Sequence, residues 1–154
     1  MIRIGYPPAA FDLFRIGSLN LLRRARENCD YLVAGVVADE VLIEHKGVTS
    51  VIPLAERLEI VCNVRFDAAV AALTNDKVAI WKDLRFNVLF KGNDWQGAEK
   101  KGNKLEREFA PLGVEIAYCP YTLATSSSAL RRTLQNIDTL AGRASNRAVL
   151  ARAA

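Results

Sequence analysis

Apolar residues follow two rhythms along this chain. Short, mostly apolar runs at residues 2–5, 31–37, 68–73, 87–90 and 114–118 read as β-strands. The run YLVAGVV at 31–37 carries no charge, which suits a strand buried on both faces of a parallel sheet. Between the runs, apolar positions recur at helical spacing. In residues 17–28, Leu19, Leu22 and Ala25 form a stripe with Leu21 beside it, and Arg23, Arg24, Arg26 and Glu27 are assigned to water. Ser18 is a candidate cap for the first turn. Asp39 opens a short helix that leads into a loop at Lys46-Gly47. Pro53 is placed as the first residue of the next helix. Leu54, Leu58, Val61 and Cys62 share one face of it, with Glu56, Arg57 and Glu59 off that stripe. Further helices are expected at 77–84, with Trp81 packing inward, at 99–109, and from about 127 to 140.

Strands alternating with helices predict an α/β fold: a Rossmann-like five-stranded parallel sheet with helices on both faces. One domain is expected over residues 1–140, with 141–154 as a C-terminal tail or helix. Ligands of such sheets bind at the carboxyl ends of the strands. The loops 7–18, 91–97 and 120–128 reach that edge. The first runs from a strand through Pro7-Pro8 into a helix N-terminus, where backbone amides and the helix dipole favour an anion.

Composition narrows the classes. Of 154 residues, 51% are hydrophobic and 25% charged, ordinary for a globular protein. No apolar run approaches the ~20 residues of a membrane span. The chain starts directly as a strand with no basic-then-apolar leader, which reads as cytoplasmic. The net charge of +4 is concentrated in Arg23, Arg24 and Arg26 and in the arginines from Arg131 to Arg152. No basic helix with interleaved aromatics exists, so these read as solvated faces and no nucleic-acid partner is expected. Cys29, Cys62 and Cys119 form neither a disulfide framework nor a zinc motif and read as small core residues. The one histidine, His45, reads as a solvent-exposed loop residue.

Several motifs, in order and in register from about residue 2 to 134, resemble the nucleotidyltransferase superfamily with the HxGH signature, and within it the glycerol-3-phosphate cytidylyltransferase group. AAFDLFRIGSLNLLRRA is similar to GxFDLFHxGHLNLLxxA, and DYLVAGVVADE to DYLIVGVSTDE. Lys46-Gly47 and PLAER follow at the family's distance. GNDWQG resembles GDDWxG, and PYTLATSSSALRR resembles the family's closing loop. The resemblance implies transfer of CMP (or AMP) from CTP or ATP to a phosphorylated alcohol such as glycerol 3-phosphate, with release of pyrophosphate. It also implies Mg²⁺ carried by the triphosphate, with no metal site of the protein's own, and a homodimer. The apolar residues of 51–64 are a candidate dimer face, although a helix packing on its own sheet explains the same pattern.

Carried over by position, the resemblance places Ala10, Phe11, Asp12, Gly17, Asp94, Trp95, Thr125, Ser126 and Ser127 at the nucleotide. Lys46 and Arg57 fall at the substrate phosphate. Arg57 has a surface ion pair as its plainer alternative, and the serines have plain helix capping. Arg15, Ser18 and Lys46 occupy catalytic positions. The departures are concentrated there: Arg15 and Ser18 stand where the family has imidazoles, Ala9 where it has glycine, Asn93 where it has aspartate, and Tyr121 where many relatives have arginine. Arg15 could still bind phosphate bidentately and Ser18 could still donate one hydrogen bond. Two readings stay open: an altered nucleotidyltransferase, and a relative that keeps the fold and has lost the transfer.

Overall fold

The computed structural model describes residues 1–64, 67–93, 102–120, 122 and 126–152. The chain divides into two compact units, Met1–Ala124 and Thr125–Ala154.

The first unit is built on a sheet of six strands: β1 (Ile4–Tyr6), β2 (Pro8–Ala9), β3 (Tyr31–Val37), β4 (Ala68–Ala72), β5 (Val88–Gly92) and β6 (Glu115–Cys119). Every strand pairing is parallel. β3 carries β4 on one side and both β1 and β2 on the other; β1 continues to β5, and β5 to β6. β1 and β2 hold one register against β3, with Ile4 opposite Tyr31 and Pro8 opposite Gly35. They are one strand interrupted at Pro7, which accounts for six strands where five were expected. The interruption has a chemical cause: Pro7 and Pro8 have no N–H to donate. The β1–β5 ladder stops at Tyr6 opposite Leu89, while β5 goes on pairing with β6 as far as Gly92 opposite Cys119. The sheet therefore parts at its carboxyl edge, between β2 and β5.

Helices cover both faces. α1 (Ile16–Glu27) and α3 (Leu54–Asn63) pack on one, where Leu22, Ala25 and Val61 meet Leu32, Ala34, Val36, Val88 and Phe90. α4 (Lys77–Leu84) and α5 (Gly102–Phe109) pack on the other, where Leu105 and Phe109 meet Tyr6, Val33, Phe86 and Leu89. β3 sends alternate residues to the two cores, as its uncharged run predicts. Each fully buried Leu, Val or Phe contributes about 1.5–3 kcal/mol. Trp81 lies against the second core and donates its indole N–H to the Phe86 carbonyl at 3.1 Å.

Helix ends follow local chemistry. Asp76 caps α4 by accepting from the amides of Val78 and Ala79, each at 3.0 Å. Gly47 ends α2 (Asp39–Lys46) with φ 61°, a left-handed position that glycine fills without strain. Pro53 is the N-cap of α3 rather than its first residue. Arg15, not Ser18, is the N-cap of α1, and Ser18 joins Leu22 and Ala25 on the buried face. Cys62 is exposed, a correction to its core assignment, whereas Cys119 is buried and Cys29 half-buried. In the second unit, α6 (Ser127–Arg152) runs on without a break near residue 140. Among the described residues, no helix is long and apolar enough to cross a membrane.

Gly35 shows how closely the strands approach. The Tyr6 ring lies directly over it, so a Cβ at Gly35 would collide with the Tyr6 hydroxyl. Tyr6 stacks on Phe86 with ring centroids 4.9 Å apart. Its hydroxyl is buried, has no hydrogen-bond partner among the described residues, and is pushed up in pKa by that burial.

Candidate functional site

The loop after β2 turns sharply. Phe11 and Leu13 take left-handed backbone, φ 51° and 49°, which costs a non-glycine residue about 1–3 kcal/mol. The turn is held from both sides. The Phe11 ring enters the first core and stacks against Phe14 at 6.3 Å. The buried Asp12 carboxylate accepts from the amides of Val51 and Ile52, each at 3.0 Å. Asp12 thus fastens the segment before α3 to the loop before α1.

Arg57 completes this fastening. Its side chain is wholly buried. Nε donates to the Ile52 carbonyl at 2.8 Å. Nη1 donates to the carbonyls of Ala10 at 2.6 Å and Val37 at 2.8 Å. Nη2 donates to Asp39 Oδ1 at 2.5 Å, and the other Asp39 oxygen accepts from the Leu54 amide at 3.2 Å. The Ser50 hydroxyl also donates to Asp39. Ser50 above all, with Leu54 and Arg57, holds the Asp39 carboxyl below the ordinary range, against the upward pull of partial burial. Arg57 was expected off the buried stripe, as a substrate-phosphate contact or a surface ion pair. The structure corrects that: three residues after Leu54 and four before Val61, it lies on the stripe, and its donors are taken up by the protein.

In front of this clamp the parted sheet edge opens a cleft of about 200 Å³, with Pro8, Ala9, Ala10, Val37 and Ala72 on its walls. Lys46, Lys77 and Lys91 line it, and among the described residues no carboxylate does. Lys46 is the exposed last residue of α2. Lys91 is only 8% exposed, with Nζ 3.5 Å from the Pro8 carbonyl across the gap between β5 and β2. Lys77 Nζ donates to the carbonyl and side-chain oxygens of Asn75 at 3.2 and 3.1 Å. Burial pulls the Lys77 ammonium below the ordinary lysine range; Glu108 opposes the shift, and Lys104 and Lys46 add to it. The cleft shares Val41, His45, Thr74, Asn75 and Lys77 with a larger lobe of about 640 Å³, whose walls include Glu44, Asp76, Lys104 and Glu108. His45 belongs to the last turn of α2 rather than to a loop; it is half-exposed, 3.8 Å from Glu44.

The α1 N-terminus forms a separate part of the same edge. Arg15 is half-buried and extended (φ −144°), and its carbonyl accepts the Leu19 amide at 3.0 Å. Its guanidinium and Thr122 flank Gly17, leaving only van der Waals room there for a Cβ. Asn20 donates to the Thr122 hydroxyl at 3.1 Å. No acidic residue occupies the first turn of α1, so its positive end is not neutralised from within.

The expected site residues therefore sort into groups. Ala10, Phe11 and Asp12 build the loop; Ala10 and Lys46 face the cleft; Arg15, Gly17 and Ser18 belong to the start of α1. Ser126 accepts the Ala129 amide at 3.0 Å and so caps α6, which Ser127 begins. Asp94, Trp95, Tyr121 and Thr125 lie outside the described residues. Sequence reasoning missed Asp39, Lys77 and Lys91. The available signals were a lysine directly after the apolar strand NVLF, and a lysine directly after a capping aspartate.

Residues 8–133 match the model of the cytidylyltransferase-like family. The chain belongs to that family. It is 34% identical over 95 residues to the ethanolamine-phosphate cytidylyltransferase of Arabidopsis thaliana, covering 58% of this chain and 22% of that protein. It is 34% identical over 122 residues to bifunctional protein HldE of Streptomyces coelicolor, covering 78% and 26%. The FAD synthase of Pyrococcus abyssi is 26% identical over 113 residues, covering 72% and 76%. The chain spans 20–26% of the length of the first three of these curated relatives. Among solved structures, the lipopolysaccharide core biosynthesis protein from Thermoplasma volcanium superposes with a TM-score of 0.67 at 17% identity, over 81% of this chain and 100% of that one. The likeness of fold bears out the α/β Rossmann-like expectation.

Proposed function

We propose that this member of the cytidylyltransferase-like family transfers CMP or AMP from CTP or ATP to a phosphorylated alcohol. An acceptor phosphate oxygen attacks the α-phosphorus, a P–O bond forms there, the bond to the β-phosphate bridge breaks, and pyrophosphate leaves. No covalent enzyme intermediate is required, so catalysis rests on positioning and on neutralising phosphate charge. The observation that carries the proposal is the lysine-lined cleft at the carboxyl edge of the family's sheet. Arg15, at the start of α1 whose first turn holds no acidic residue, supplies a further cation for the triphosphate. In this reading Mg²⁺ enters with the triphosphate.

Ser18 favours a second reading, a nucleotide-binding relative without transfer. Its side chain shares the buried face of α1, and neither it nor Arg15 supplies an imidazole. Loss of one preorganised donor costs about 10²–10³ in rate. Pyrophosphate release from CTP or ATP with Mg²⁺ and glycerol 3-phosphate or phosphoethanolamine separates the two. Turnover by the native chain supports transfer. Silence in the native chain, with turnover restored by Arg15→His plus Ser18→His, establishes the second reading.

A further inference from the structure

The chain holds one histidine, and it stands where the cleft joins its larger lobe. Among the described residues, His45 and Lys77 are the titratable side chains that line both. The His45 side chain is 42% exposed, so protons and solutes reach it from solvent. Charges of both signs surround it. On α2 itself, Glu44 lies 3.8 Å away and Lys46 follows directly. α4 brings Asp76 and Lys77, and α5 brings Lys104 and Glu108. β5 adds Lys91 on the smaller side. Asp76 accepts from the amides of Val78 and Ala79, and Glu108 lies 3.6 Å from Lys104. Carboxylates and ammonium groups ordinarily keep their charges between about pH 5 and 8, whereas a histidine changes its own within that window. The last turn of a helix also favours a cation. That interaction is the same whether the cleft is filled or empty, so it is separable from a role in binding.

We propose that His45 couples a proton to solute binding in this cleft. As imidazolium it adds a cation to the wall shared by both lobes and tightens the hold on an anion. As neutral imidazole it withdraws that charge. This rests on the transferase reading only for the expectation that the cleft takes an anionic solute. Anion affinity then rises as pH falls through the range in which a histidine titrates, and the affinity of a neutral solute does not. Coupling is reciprocal: an anion favoured by the imidazolium must in turn favour the imidazolium, so filling the cleft raises the titration midpoint of His45 by the same factor.

The test is an NMR titration of the full, untagged chain, in which the imidazole ring C–H signals report His45 alone. Phosphate is a poor first probe because its second ionisation, at about pH 6, falls in the same window. Inorganic sulfate and methyl sulfate keep a constant charge there and take its place. Titrations run from about pH 5 to 8, with and without excess sulfate, at an ionic strength matched with sodium chloride. Sulfate should move the His45 midpoint up by about half a pH unit or more, a coupling of about three- to fivefold, the scale of a partly exposed ion pair. Calorimetry should show the same factor as a gain in sulfate affinity at the acid end. His45→Gln should bind sulfate at every pH as the native chain does at the alkaline end, and His45→Lys should keep the tighter binding throughout. Thermal melts check that both variants are folded. The proposal is overturned if sulfate leaves the midpoint in place, if the native chain binds no sulfate at the acid end, or if His45→Gln keeps the native pH profile. Pyrophosphate release from CTP or ATP is scored separately. Turnover with an unmoved midpoint sinks this proposal and leaves the transferase reading standing. A sulfate-dependent midpoint without any pyrophosphate release sinks the transferase reading instead.

Discussion

The clamp around Arg57 and the cleft lined by Lys46, Lys77 and Lys91 lie side by side on one sheet edge and share Ala10 and Val37. Both are cationic, yet they do different work. Arg57 is planar and fork-shaped, and its donors meet backbone carbonyls and a carboxylate set at fixed positions. It ties the loop before α1, the end of β3, the start of α2 and the approach to α3 into one wall. The lysines are point charges on flexible stems, gathered around a cavity. Cations on one sheet edge are thus not interchangeable: the guanidinium shapes the wall, and the lysines line the opening.

The comparison breaks most visibly at Arg57. Arg57→Met removes the guanidinium partner of Asp39 and leaves three carbonyls short of a donor. The expected loss is about 3–5 kcal/mol, as for breaking a buried pair from one side, read from urea unfolding at neutral pH. A loss below about 1 kcal/mol, together with abolished phosphoester binding, would move Arg57 from the wall to the cleft.

Gly35→Ala comes next. Its Cβ meets the Tyr6 hydroxyl, and overpacking of this kind costs about 1–3 kcal/mol. Adding Tyr6→Phe should recover part of it, a coupling that a double-mutant cycle measures.

Asp39→Asn should cost about 1–3 kcal/mol at neutral pH by weakening charged hydrogen bonds. It also carries a pH signature. The folded pKa of Asp39 lies below its unfolded value, which is about 3.9. Its contribution is therefore present above that value and is lost as pH falls through the folded pKa. Unfolding free energies across the acid range should fall more steeply for the native chain than for Asp39→Asn.

Tyr6→Phe alone should raise stability by about 1 kcal/mol, because it removes a buried hydroxyl that makes no hydrogen bond among the described residues. An increased melting temperature is the expected result. The smallest effect belongs to the cleft: Lys46→Gln should change stability by less than about 0.5 kcal/mol, as surface substitutions do, while weakening phosphoester binding. A large loss of stability would make Lys46 part of the scaffold instead.

Local signals were legible in the sequence. The β3 run and the helical stripe of α1 act over a few neighbours, and the strand–helix alternation built from such segments predicts the right architecture. Arg57 was misjudged because a helical pattern assigns charge to the water side, and only segments distant in sequence supply the carbonyls that let a guanidinium be buried. Lys77 and Lys91 escaped notice for a related reason. Each is an ordinary lysine in its own segment, and only the parting of β2 from β5 gathers them around one cavity. Ser18 looked like a cap because hydroxyls favour caps, but Arg15 holds that position and the apolar periodicity carried Ser18 inward.

Pro7 and Pro8 act on the unfolded chain as well as on the folded one. Their rings restrict φ before folding begins, and at a compatible site each such restriction favours the folded state by about 0.4–1 kcal/mol. Both rings lie just past the end of the β1–β5 ladder, and Pro8 lines the cleft. That rim is therefore kept rigid by covalent geometry where interstrand hydrogen bonds have run out. A solute entering there meets a wall whose entropy was surrendered during folding, so little affinity is spent on ordering the rim.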